Sequence, residues 1–282
     1  MEAAKQIDTN MKNKKGLSTS FIKTIALICM FIDHFAASVF FCLMSDMSHP
    51  FMLKVGEWLG TSGAFGTYQF LLPIYSCMRN IGRVSFPIYC FFIVEGFLRT
   101  RSRKKYARRL AVCALLSEIP FDLALFGKVF YFRHQNVFFT LLLGMLAIWV
   151  IDTFMNKEGW GNGKKFFLST LCGFGFYLAA ELLFTDYSSY GVTAIVLMYL
   201  VRKIAEQKIK IWAPIVFAVG TAVLCLLSLG ETWAFMALPL FFFYHGKKGW
   251  NAKWFFYLFY PVHLLLLGIA RICLTLQDIM FF

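Results

Sequence analysis

Apolar residues run along this chain in long blocks separated by short clusters of charge, and the blocks are too long for strands or for the half-buried helices of a water-soluble core. A helix that crosses a bilayer needs about 20 predominantly apolar residues. Blocks of that kind recur at roughly 21–44, 80–98, 106–127, 136–155, 166–184, 189–203, 211–229, 231–245 and 254–275, the sixth and eighth being short. The pattern predicts an all-α polytopic transmembrane bundle of about nine spans, forming one domain over 21–275. Residues 1–20 are polar and are expected to form a flexible cytoplasmic tail. They do not read as a secretory leader, because a full-length apolar run follows with no small-residue cleavage site. The stretch 46–79 is mixed, with His49, Pro50, Lys54, Glu57 and a glycine-rich patch from Gly60 to Gly66. It reads either as an interfacial amphipathic helix with a loop or as a re-entrant piece. No internal repeat is evident.

Charge sharpens this into a topology. The chain carries 28 Lys and Arg against 15 Asp and Glu, a formal net charge of +13. With the N-terminus inside, the segments 1–23, 99–109, 156–165, 202–210 and 245–253 all fall on the cytoplasmic side, and they hold 22 of the 28 basic residues. Excess Lys and Arg in short loops marks the cytoplasmic side. The C-terminus is then expected outside. The same parcelling into loops argues against nucleic acid as a partner and for anionic lipid headgroups. Composition agrees: 59% of residues are hydrophobic, with 34 phenylalanines, against about 45–50% apolar in soluble domains. The eight cysteines are scattered and have neither C-x-x-C nor metal-ligand spacing, so they read as small buried apolar residues, and no metal is expected.

Charged side chains at bilayer depth cost about 2.5–3.5 kcal/mol even on a mild insertion scale, so each needs a partner, water or a role. The first span carries Asp33-His34 near its middle. A neutral imidazole can take a proton from an attacking amine or hydroxyl. Adjacent helical residues do not face each other, so Asp33 is expected to reach a neighbouring helix, either at Arg79 or at Arg83. A simple packing hydrogen bond is the competing reading. Arg79 and Arg83 lie four apart and share a face if the second span begins that early. Glu118 and Asp122 also lie four apart, and can pair with Arg79, Arg83 or Arg133. Arg133-His134-Gln135-Asn136 precedes the fourth span, lining a site or capping a helix at Asn136. Tyr257, Tyr260 and His263 recur at a spacing of three in the last span, around Pro261. The segment Arg99 to Arg109 holds seven basic residues in eleven. It serves either lipid contact or a phosphate clamp, since arginine holds phosphate bidentately. Glu95 is expected to pair with Arg99. Spans five to eight read as scaffold, with Asp152, Glu181 and Asp186 near the interfaces.

These segments together resemble the TraX family, membrane proteins linked to N-acetylation of conjugative pilin. The resemblance rests on Leu27 to His34, Gly82-Arg83-Val84-Ser85-Phe86-Pro87 through Glu95-Gly96-Phe97, and Arg99-Thr100-Arg101 with Lys105-Tyr106 and Arg109. It continues through Ser117-Glu118-Ile119-Pro120-Phe121-Asp122, Asn136 to Thr140, and Tyr257 with Tyr260-Pro261-Val262-His263-Leu264. It covers about residues 20 to 270. The Asp-His pair and the final Tyr-Pro-x-His-Leu also look like broader membrane acyltransferases that use cytosolic acetyl-CoA. The resemblance implies a multi-pass protein of the bacterial cytoplasmic membrane that moves an acetyl group from acetyl-CoA to an amine or hydroxyl outside, on a peptide or a glycan. It implies His34, Asp33 and His263 as catalytic. Arg79, Arg83, Glu118, Asp122, His134, Asn136 and Tyr260 would line the acceptor side. Glu95, Arg99, Arg101, Lys105, Tyr106 and Arg109 would hold the donor. A proton-coupled transporter and a non-catalytic membrane assembly factor are the alternatives.

Overall fold

The structure is a computed structural model, and it describes residues 16–61, 63–208 and 212–280. Most of the expected tail, 1–15, lies outside the described residues. The described chain is helical, with no strand. Helix α1 (Thr19–Phe35) starts at Ser18, whose hydroxyl accepts from Phe21 N and caps the first turn. One π-helical stretch (Ala36–Phe40) continues it into α2 (Phe41–Ser45). Two helices follow where the sequence left an interfacial piece or a re-entrant one. They are α3 (Pro50–Leu59), begun by Pro50 and ended by Gly60 in the left-handed region, and α4 (Gly63–Gly82). α4 leads directly into α5 (Ser85–Arg99). The second apolar helix therefore begins near Gly63, well before residue 80. The expected single face for Arg79 and Arg83 does not form, because the helix breaks between them. Pro87 explains the break, since it has no N–H to give the carbonyl of Arg83 four residues earlier.

The chain continues with α6 (Arg103–Phe126), α7 (Val137–Met155), α8 (Asn162–Leu182), α9 (Ser188–Lys208) and α10 (Trp212–Leu227). The expected eighth span is a 3₁₀ helix (Leu229–Ala237) and one turn of α-helix, α11 (Leu238–Phe242). α12 (Lys253–Met280) closes the fold. Among the described residues, four helical stretches are long and apolar enough to cross a bilayer alone: Thr19–Ser45, Gly63–Arg99, Val137–Met155 and Lys253–Thr275.

α5 is the central post. Phe86, Ile88, Phe91, Phe92, Val94 and Phe97 are all buried, as expected of a helix that is apolar on every side. α8 is its opposite: of its side chains only Ala180 is buried, and Phe166, Phe167, Leu171, Phe174 and Leu182 are exposed. So much apolar surface outside belongs against lipid rather than water. Around the post, α12 packs along α6, α9 along α10, and α1 along α4. The α1–α4 approach depends on Gly82, because a Cβ there would run into the side chain of Asp33. Gly82→Val is therefore expected to destabilise the fold by about 1–3 kcal/mol, the usual range for overpacking. A thermal melt of the purified protein checks this, and an unchanged midpoint would show that the two helices can move apart freely.

Candidate functional site

Basic residues from distant parts of the chain meet at one end of the bundle. Gly16 to Ser20, expected to be part of the tail, are tied to the segment before α12. Leu17 N donates to Phe243 O at 2.8 Å, Thr19 N to Lys247 O at 2.8 Å, and the Ser20 hydroxyl to Lys248 O at 2.6 Å. This strap borders a cavity of about 320 Å³. Its lining includes Lys23, Arg99, Arg109, Lys248 and Lys253 and no carboxylate. The walls are aromatic, from Tyr89, Phe92, Phe138, Phe256 and Tyr257. Such a cavity suits a ligand with an anionic head and an apolar or neutral arm.

The donor set read from the sequence divides here. Arg99, Tyr106 and Arg109 line the cavity. Arg101 and Lys105 are exposed and line neither this cavity nor the next. Arg103 turns the other way, to Asp152 at 2.6 Å, where Lys203 at 2.8 Å and the Tyr199 hydroxyl also converge. Asp152 is thus buried at the centre of a network rather than reaching out to the interface. Glu95 is buried between Arg99 at 2.5 Å and Arg202 at 2.6 Å. It fixes Arg99 at the cavity edge without lining the cavity itself.

A second cavity, also about 320 Å³, lies end to end with the first. Met30, Tyr89, Val137, Leu141 and Tyr260 line both and form the septum between them. Asp33, His34, Arg79, Arg83, His134 and Tyr260, all named from the sequence, line this second space. Asp33 is engaged by Arg79, with Nη1 to Oδ1 at 2.7 Å, and makes no bond to His34. The partner of His34 is His263. His34 Nδ1 and His263 Nε2 are 2.7 Å apart, with the rings stacked at 5.0 Å between centroids. His263 is buried and lines neither cavity.

The tautomers follow from the next contact. His263 Nδ1 is 2.7 Å from the carbonyl oxygen of Phe259, and a carbonyl only accepts. His263 Nδ1 therefore carries the hydrogen. With both rings neutral, His263 Nε2 is a lone pair, and His34 Nδ1 donates to it. The remaining nitrogen, His34 Nε2, is then a lone pair on a ring that lines the second cavity, and no hydrogen bond to it forms among the described residues. Beside it stands Tyr260, 5.7 Å away edge-on, whose buried hydroxyl has the Val137 backbone N–H as a neighbour and gives its own proton to no acceptor among the described residues.

The far wall comes from turns. Asn136 caps α7 by accepting from Phe138 N, and its amide donates to Glu118 and to Ala114 O. Asp122 accepts from Tyr131 N at 2.7 Å. Glu118, Asp122 and Asn136 thus shape the α6–α7 turn and stand outside the cavity lining. His134 meets Asp186 at 3.3 Å. Asp186 sits in a turn where Phe184, Tyr187 and Ser188 all have positive φ, a strained backbone clasped to Gln135 by two hydrogen bonds. Arg83 pairs with the buried Glu231 of the 3₁₀ helix at 2.8 Å. Asp186 and Glu231 belong to the part of the chain read as scaffold. Glu231, a carboxylate inside an apolar block, carried the signal that flagged the others; Asp186 carried none.

The hydrogen bond His134 donates to Asp186, together with the negative charge of that carboxylate, holds the His134 imidazole above the ordinary histidine value of 6.5. A raised native value means that the pair stabilises fully below the unfolded pKa and loses that stabilisation as pH rises through the native one. The thermal midpoint is therefore expected to fall from about pH 6.5 upward, and Asp186→Asn should flatten that slope. An identical slope in the variant would exclude this pair as its source.

The TraX protein family matches the chain over residues 18–271. The probable fimbrial assembly protein FimC, serogroup H1, of Dichelobacter nodosus is 29% identical, covering 94% of this chain and all of that protein. No solved structure matches.

Proposed function

We propose, from the premise that the chain belongs to the TraX family, that it is a membrane acetyltransferase that carries an acetyl group from cytosolic acetyl-CoA to an amine or hydroxyl on the outer side. The observation that carries this reading is the pair of cavities meeting at a septum beside the free Nε2 of His34. One cavity is basic and free of carboxylates, suited to the phosphates of the donor. The other is polar and mixed in charge, suited to an acceptor. The nine-span topology supports the same division. Lys23, Arg99, Arg109, Lys248 and Lys253, all assigned inside by charge, gather at the first cavity, while His134, Asp186 and Glu231, from outer turns or near them, gather at the second. In this topology the chain sits in the bacterial cytoplasmic membrane with its N-terminus inside and C-terminus outside, and the stretch from Leu229 to Phe242 completes the eighth crossing.

The acceptor amine or hydroxyl attacks the thioester carbonyl at the septum. His34 Nε2 takes its proton as the new C–N or C–O bond forms. The Tyr260 hydroxyl donates to the carbonyl oxygen as it gains charge. The intermediate collapses, the C–S bond breaks, and the protonated His34 returns its proton to the departing thiolate. His263 acts as a positioning residue, fixing the tautomer that leaves Nε2 unprotonated, and it stabilises the imidazolium that forms. Asp33 keeps Arg79 in place on the acceptor side, with Arg83 held by Glu231.

The name of the relative favours an acceptor associated with a pilus or fimbria, and a pilin-like peptide N-terminus is the first candidate. The same name keeps a non-catalytic assembly role as the second reading. Membrane vesicles containing the protein, given acetyl-CoA labelled on the acetyl group, separate the two. Label appearing on an outer peptide or glycan supports the enzyme, and assembly of surface fibres without any such label supports the second reading.

A further inference from the structure

The basic cavity has depth as well as charge, and its cations stand at two levels. Lys248 and Lys253 come from the segment before α12 and its first turn, next to the strap at the cavity mouth, together with Arg99. Lys23 and Arg109 stand one turn or more inside their helices. The Lys23 ammonium is 5.1 Å from the centre of the Phe92 ring and 5.9 Å from that of Phe256. Among the described residues no carboxylate pairs with it. Aromatic faces alone attract a cation only modestly against the cost of placing it among apolar walls. Arg109 lies over the Tyr106 ring, and its buried Nε has no hydrogen-bond partner among the described residues. Lys23 and Arg109, facing a common cavity and paired with no carboxylate among the described residues, make a site for an anion.

The spacing along α1 identifies the anion. Lys23 and His34 are 11 residues apart on one helix, which is about 16 Å at 1.5 Å per residue. In a coenzyme A thioester, the arm between the diphosphate and the sulfur holds two amides and is as long as four to five residues of extended backbone, about 15 Å. Resting on the acetyl-CoA reading above, we infer that Lys23 and Arg109 hold the diphosphate of the donor partway up the cavity, so that α1 serves as a ruler placing the thioester beside His34. Lys248 and Lys253, at the mouth, take the 3′-phosphate of the donor. Arg101 and Lys105, from the same basic segment as Arg99 and Arg109, take no part.

Equilibrium binding of coenzyme A, 3′-dephospho-coenzyme A and pantetheine to the full chain in lipid nanodiscs tests this without an acceptor. Wild-type protein is expected to bind coenzyme A far more tightly than pantetheine. Lys23→Met should weaken coenzyme A binding by about 10- to 100-fold, the worth of one or two charge-assisted hydrogen bonds, and leave pantetheine binding unchanged. Lys23→Arg should restore most of the loss, which separates lost charge from lost folding. The double variant Lys248→Ser with Lys253→Ser should bind coenzyme A and its dephospho form alike. If Lys23→Met binds coenzyme A as wild type does, the ruler is overturned and the donor reading stands. If wild type prefers none of the three, the donor reading falls, and the ruler with it.

Discussion

Changing His34 to alanine is expected to lower the rate of acetyl transfer by about 10²–10⁴-fold, the range ascribed to a positioned general base. Two contacts set this expectation. The Phe259 carbonyl fixes the hydrogen of His263 on Nδ1, His263 Nε2 then accepts from His34 Nδ1, and His34 Nε2 is left as the lone pair. Among the described residues, the second cavity is lined by one other imidazole, His134, which is engaged by Asp186 on the far wall. Binding of coenzyme A should be unaffected, because His34 does not line the basic cavity. The loss is therefore expected in kcat, measured with labelled acetyl-CoA in vesicles at saturating donor. A wild-type rate in the variant would remove His34 from the chemistry. If fibres still assemble normally while transfer is abolished, catalysis and assembly are separate properties of the protein.

The second large effect belongs to Tyr260→Phe. Only the hydroxyl is lost, so the ring still packs edge-on against His34 and against Phe138 at 5.1 Å. That hydroxyl is buried, gives its proton to no acceptor among the described residues, and belongs to a ring that lines both cavities. Removing a donor aimed at a developing oxyanion costs about 10²–10³-fold in kcat. Folding should suffer little, since the hydroxyl donates to no acceptor among the described residues, and the thermal midpoint should stay close to that of the wild type. A variant with full activity would show that the oxyanion is held elsewhere. A variant with reduced activity and a much lower midpoint would instead mark the hydroxyl as structural.

The helical class, most helix positions and the two histidines were legible in the sequence, because apolar length and polar residues at depth are local signals. Two of the partnerships were legible as well, Asp33 with Arg79 and Glu95 with Arg99; the longest-range ones were not. Arg83 and Glu231 are 148 positions apart, and Glu95 and Arg202 are 107 apart. Nothing periodic links such pairs. The basic segment misled for a geometric reason. Read as a string, Arg99 to Arg109 looks like one clamp, but successive residues of a helix point 100° apart. Tyr106 and Arg109, three apart, share the face of α6 that meets the cavity, while Arg103 leaves toward Asp152 and Lys105 toward solvent. Lys23 was counted only toward topology, and its place in the cavity follows from how α1 packs. The break at Arg83 was foreshadowed by Pro87, whose effect reaches back a full turn.

The contact between His34 and His263 joins α1 to α12, across 229 positions of sequence. The strap joins the same two neighbourhoods at the other end of the cavity. A ribosome delivers these helices at opposite ends of synthesis, with most of the bundle between them. Until α12 is inserted, the basic cavity lacks a wall and its mouth, and His34 lacks the neighbour that fixes its tautomer. On the acetyl-transfer reading proposed above, the nascent chain can bring Asp33 to Arg79 and Arg83 to Glu231 while remaining unable to activate a nucleophile, and a thioester would meet a competent site only once α12 is in place.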